Sequence, residues 1–129
     1  MNDWVVLEFE DGKRLRLRRF LESHSQSGAY KFRVEFFFNR TGENSEINII
    51  NDVETKLQSA MESDMTALLA AITEEDSQFV YTWYTKNIDE FGARLNSVLS
   101  SFPVLPISLF SMDDPEWEAY KKMNKYLDF

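Results

Sequence analysis

The sequence predicts an α+β domain on a single mixed β-sheet, with an amino-terminal antiparallel hairpin and helices chiefly on one face. Three observations predict it. Apolar and polar residues alternate on both sides of Asp11-Gly12, a period-2 pattern around a strong two-residue hairpin signal. Tyr30 to Asn39 sets Phe32, Val34, Phe36 and Phe38 on one face of a long strand. Later segments switch to helical spacing, giving the order β-β-β-α-β-α-β-α.

Taken in order, Trp4 to Glu10 and Lys13 to Arg18 are the strands of the hairpin. The serine-rich stretch Glu22 to Ala29, with Gly28, reads as a polar loop before the Tyr30–Asn39 strand, in which Phe37 points to the opposite face. Thr41-Gly42-Glu43-Asn44 is a turn. From an Asp52 N-cap to Ile72, the residues Val53, Leu57, Ala60, Met61, Met65, Leu68 and Ile72 form one helical stripe. The acidic turn Thr73-Glu74-Glu75-Asp76-Ser77 leads to a strand from Gln78 to Thr85, dense in aromatic and β-branched residues. Asn87 and Glu90 have capping-box spacing, opening a helix that carries Ile88, Phe91, Leu95, Val98 and Leu99 and ends near Ser101. Beyond Pro103 and Pro106, Ile107 to Phe110 is a short strand. Asp114-Pro115 opens the last helix as cap and first helical residue, with Trp117, Tyr120 and Leu127 on its apolar side. The unit from Gln78 to Phe110 is expected to be a right-handed parallel crossover. Without a repeat or a dividing linker, residues 1–129 are expected to form one domain.

Hydrophobic residues make up 43% of the chain and aromatics 15%, enough to build a core without a staple. The absence of cysteine excludes disulfides, thiolate metal sites and a cysteine nucleophile. Met1-Asn2-Asp3-Trp4 lacks the basic start and apolar run of a secretory signal, so a cytoplasmic protein with no membrane association is expected. The net charge of −8 is uneven: residues 1–40 carry +2 and the remainder −10. Such a surface repels phosphate backbones and favours a basic protein partner.

The chemistry of a typical enzyme is hard to find. His24 is the sole histidine, lying in the serine-rich stretch, and the four glycines form no phosphate-binding loop. Asp113-Asp114, with Glu116, could hold a divalent cation or act as an acid–base pair, but Asp114 reads first as a helix cap. The stripe Arg14, Arg16, Arg18, with Arg33 and the aromatic strands, could stack RNA. Glu8, Glu10 and Glu35 can neutralise it across strands, and direct nucleic-acid binding is not expected.

Phe79-Val80-Tyr81-Thr82-Trp83-Tyr84, then Phe91 and Leu95, then Asp113-Asp114-Pro115-Glu116-Trp117-Glu118-Ala119-Tyr120, resemble the bacterial family of unknown function 695 over about residues 50–129. Its hallmark is an aromatic strand followed, after a helix, by a D-P-x-W-x-x-Y helix start. That family is similar in turn to the class B regulators of ribonuclease activity, small acidic α+β proteins that bind and inhibit an endoribonuclease. The resemblance implies inhibition by binding and carries over no catalytic residue.

The expectation is therefore a non-enzymatic protein without cofactor or metal: an immunity protein or inhibitor of a cognate nuclease toxin. A housekeeping regulator of a ribonuclease is the alternative, and a carboxylate or metal-dependent hydrolase a further one. Candidate partner-binding residues are Glu74, Glu75 and Asp76 at one end of the sheet, and Asp89, Glu90, Asp113, Asp114 and Glu116 at the other. Oligomeric state is left open.

Overall fold

In the computed structural model, which describes residues 3–127, Gly12 turns the chain with φ 90°. Strand β1 (Trp4–Glu8) pairs antiparallel with β2 (Arg14–Arg18), Val5 opposite Leu17 and Leu7 opposite Leu15. Met1 and Asn2, part of the opening read as lacking a secretory signal, lie outside the described residues. There follow α1 (Glu22–Gln26), β3 (Phe32–Asn39), α2 (Glu46–Glu62), β4 (Ala67–Glu74) and β5 (Gln78–Thr85). The chain then forms α3 (Ile88–Leu99), β6 (Ile107–Asp113), α4 (Glu118–Asn124) and a 3₁₀ turn, Lys125–Leu127.

The six strands form one sheet in the order β1-β2-β4-β5-β3-β6. Every neighbouring pair is antiparallel, so the α+β class holds and the expected mixed sheet is corrected. Strands β5 and β6 do run in the same direction, but β3 lies between them and is hydrogen-bonded to both. The predicted crossover of adjacent parallel strands is thus a crossover spanning β3. A clean alternation marks a strand and its facing, not which distant strand is inserted beside it.

The largest correction falls on residues 46–74. Helix α2 begins at Glu46, six residues before the predicted Asp52 cap, and stops at Glu62. Met65 adopts φ 62°, and Ala67 to Glu74 form a strand. That strand is buried on both sides: Ala67, Leu69 and Ile72 enter the core beneath α2, while Leu68, Ala70 and Ala71 enter the core on the other face. The register shifts between Leu69, opposite Trp83, and Ala71, opposite Thr82. Ala70 is thus the extra residue of a β-bulge, which resets the facing of the strand halfway along it.

The sheet separates two cores. Long helices α2 and α3 cover Val34, Phe36, Phe38, Tyr81 and Trp83 on one face. On the other, Leu15, Leu17, Tyr30 and Tyr84 pack with Trp117 and Tyr120 around α4. Trp83, Trp117, Tyr84 and Phe36 are almost wholly enclosed, each contributing about 1.5–3 kcal/mol by leaving water. The arginine stripe serves the first face. Arg16 donates to both oxygens of Glu54, at 3.1 and 2.7 Å, and Arg18 donates to Glu62 at 2.7 Å, tying β2 to α2. Arg14 meets Glu8 across the hairpin, and Arg33 meets Glu35 two residues along its own strand.

Candidate functional site

The antiparallel register decides which turns share an end of the sheet. Glu8 lies opposite Arg14, Arg14 opposite Glu74, Glu74 opposite Phe79, Phe79 opposite Phe38, and Phe38 opposite Ile107. The β1–β2 turn, the β4–β5 turn, the exit of β3 and the entry to β6 therefore stand side by side. Hydrogen bonds join them: Arg40 N–H donates to the Ser77 carbonyl at 2.8 Å and Asn39 N–H to that of Pro106 at 2.9 Å.

This end gathers negative charge. Glu10, Asp11, Glu43 and Asp76 are exposed and Glu75 is half-buried. Lys13 approaches Glu75 at 3.7 Å, whereas the other cations are engaged within the fold. Arg14 and Arg16 reach Glu74 at 3.2 and 2.7 Å, so Glu74 braces the sheet and its neighbours Glu75 and Asp76 are the residues that face solvent. Arg40 is held by Glu46 at 2.9 Å. Burial opposes the Glu46 charge, but the Thr41 amide, Arg40, the Gly42 amide and the Thr41 hydroxyl outweigh it and hold its carboxyl below the usual range. Glu46 thereby pins the 40–45 loop. Beside that loop lies a cleft of about 420 Å³ lined by Phe38, Ile49, Pro103, Val104, Leu105 and Pro106, with Glu43 at its rim. Acidic groups and a mainly apolar cleft thus adjoin.

The opposite end holds the other predicted residues, since Thr85 and Asp113 both lie opposite Phe32. Here charge is interleaved. Asp89, Asp113 and Glu116 are exposed, Arg94 reaches Glu90 at 2.9 Å and Asp64 at 2.7 Å, and Lys31 and Lys86 belong to the same end. The Asn87 carboxamide accepts the Glu90 amide at 3.0 Å, making the predicted cap.

Asp114 is buried and belongs to the interior. One oxygen accepts the Glu118 amide at 2.8 Å; the other accepts the Tyr84 hydroxyl at 2.8 Å, Arg33 at 3.0 Å and the Ala119 amide at 3.3 Å. Burial works against its charge, yet the Glu118 amide, Tyr84, the Ala119 amide and Arg33 together leave its pKa lowered. The predicted helix start is displaced: Asp114 to Trp117 form a turn, closed by Trp117 N–H on the Asp114 carbonyl at 3.0 Å, and α4 begins at Glu118. Trp117 sits at φ 57°, an unusual conformation for a bulky residue. Its ring stacks on Tyr84 with centroids 4.0 Å apart, and its indole N–H donates to the Tyr30 carbonyl at 2.9 Å. Both contacts hold the residue there.

A profile of the family of unknown function DUF695 matches residues 16–123. The chain belongs to the DUF695 family. No curated protein matches it. In this DUF695 protein, the match spans α1 to α4 and includes the turn around Asp114. Among the described residues no three acidic or histidine side chains converge as metal ligands, and no helix is long and apolar enough to cross a membrane. The sequence singled out Glu75 and Asp76 but missed Glu10, Asp11 and Glu43, which join them only through the strand order.

Proposed function

We propose that this DUF695 protein is a binding protein of the cytoplasm that inhibits a basic protein, a cognate nuclease toxin, by docking the acidic end of its sheet on it. The observation that carries the reading is the junction of Glu10, Asp11, Glu43, Glu75 and Asp76, where Lys13 pairs with Glu75 and where Arg14 and Arg16 are taken by Glu74 and Arg40 by Glu46, beside the Val104–Leu105 cleft. Carboxylates displayed from several turns offer a nuclease groove the negative charge it otherwise takes from phosphate. Complementary charge accelerates encounter, and an apolar cleft at the rim slows dissociation. The engagement of both Asp114 oxygens supports reading that residue as a structural latch.

The test compares Glu75→Lys/Asp76→Lys with Asp89→Lys/Glu116→Lys as bait in capture from the host cell at low and high salt, followed by nuclease assay of the captured protein. The reading expects a basic nuclease that wild type silences, that the first variant binds at least tenfold more weakly, and that the second binds nearly as wild type does. Equal binding by all three would remove the acidic end as the docking surface, and a captured protein without nuclease activity would remove the toxin.

A further inference from the structure

The two edges of the sheet are unequal. Strand β1 has five residues and ends on Glu8, whereas β6 runs seven residues, from Ile107 to Asp113, with no charge or proline before Asp113. Natural edges are ordinarily guarded by charge, proline or a bulge. Leu109, on the α2 face, is 49% exposed, and Phe110, on the opposite face, is 51% exposed.

The register reveals which backbone groups β6 leaves open. Asn39 N–H donates to the Pro106 carbonyl and Asp114 N–H to that of Lys31, and hydrogen-bonded positions of an antiparallel pair recur every second residue. The amides and carbonyls of Ser108, Phe110 and Met112 therefore point toward β3, and those of Leu109, Ser111 and Asp113 point outward. Ile107 N–H is taken by the Leu105 carbonyl at 2.9 Å.

We propose that β6 pairs with β6 of a second copy, antiparallel about a two-fold axis at Phe110, to form a continuous twelve-stranded sheet. In that register Leu109 exchanges hydrogen bonds with Ser111 of the second copy, and Ser111 with Leu109, so both outward pairs are satisfied. The two Phe110 rings meet in the close, non-hydrogen-bonded pair. Charge selects this occupant: a basic partner would find no carboxylate between Ile107 and Met112, while a second copy offers a matching uncharged strand. The two Asp113 carboxylates fall six residues apart, roughly 20 Å at the rise of a strand. Antiparallel docking also sets the acidic end of one copy beside the end of the other, where Lys31 and Lys86 are interleaved with Asp89, Asp113 and Glu116. One strand buries well under the ~800 Å² per partner of a standard interface, so the dimer is a weak, transient one.

Sedimentation equilibrium of the full chain from about 1 µM to about 1 mM, the range of weak association, tests this. The wild type is expected to pass from the mass of one chain toward that of two. Ser111→Pro removes an outward amide while sparing the ladder to β3, and Phe110→Lys places a charge on the axis; each is expected to weaken dimerisation at least tenfold, with circular dichroism unchanged. Wild type remaining one chain throughout, mass exceeding two chains, or dimerisation undiminished in Phe110→Lys would each overturn the proposal, whatever becomes of the acidic end.

Discussion

Asp114→Ala removes the acceptor shared by Tyr84, Arg33 and two amides of α4. Loss of a helix cap costs about 1 kcal/mol. Leaving the buried Tyr84 hydroxyl without its charged acceptor adds about 1.5–3 kcal/mol. Arg33 keeps Glu35 at 3.2 Å, so its stranding costs less than the ~3–5 kcal/mol of a fully broken buried pair. Because these effects share one atom group they do not sum, and about 3–4 kcal/mol is the expected total. For a chain of this size that lowers Tm by about 10–18 °C. Asp114→Asn keeps one carbonyl acceptor for the amides and should lose roughly half as much. Urea unfolding followed by tryptophan fluorescence and circular dichroism would measure both. An alanine variant within about 0.5 kcal/mol of wild type, the range of neutral surface changes, would refute the account of Asp114 as a latch.

Glu62→Ala strips acceptors from the Leu69 amide at 2.9 Å and Arg18 at 2.7 Å; a loss of about 2 kcal/mol in urea unfolding is expected, partly restored by Glu62→Gln. Asp114 and Glu46 both have lowered pKa values in the fold, so the unfolded chain binds more protons as acid is added. Their stabilisation is complete above about pH 5 and fades as pH falls through about 4 and below; thermal melts should show this acid slope, shallower in Asp114→Asn. Val104, fully exposed, should accept lysine with less than about 0.5 kcal/mol change in stability, so that any effect of Val104→Lys on partner capture reports the cleft.

The parts legible in the sequence are those with a clean period or a local signal. Asp11-Gly12 turns, Tyr30–Asn39 alternates, Gln78–Thr85 is a strand, and Asn87 caps α3. Strand β4 was hidden because both its faces are buried and the Ala70 bulge breaks its alternation, while Met61, Met65, Leu68 and Ile72 keep helical spacing. The five-residue α1 buries none of its residues and so has no stripe to detect. At the acidic end, Glu75 and Asp76 were visible as a turn. Their companions Glu10, Asp11 and Glu43 come from turns more than thirty residues away, and no local pattern encodes that meeting.

The placement of β3 between β5 and β6 has a consequence for how the chain acquires its structure. The β1–β2 and β4–β5 hairpins close over short loops, but β3 gains its first strand neighbour only when β5 arrives, and its second only when β6 does. On a growing chain, the run Phe36-Phe37-Phe38 therefore keeps an open edge until synthesis has passed residue 113. Long-range pairing of this kind is slow and exposes apolar strand to other chains. Chains halted before β6 should accumulate as aggregates, and refolding yield should fall with concentration more steeply than the stability of the finished sheet would suggest.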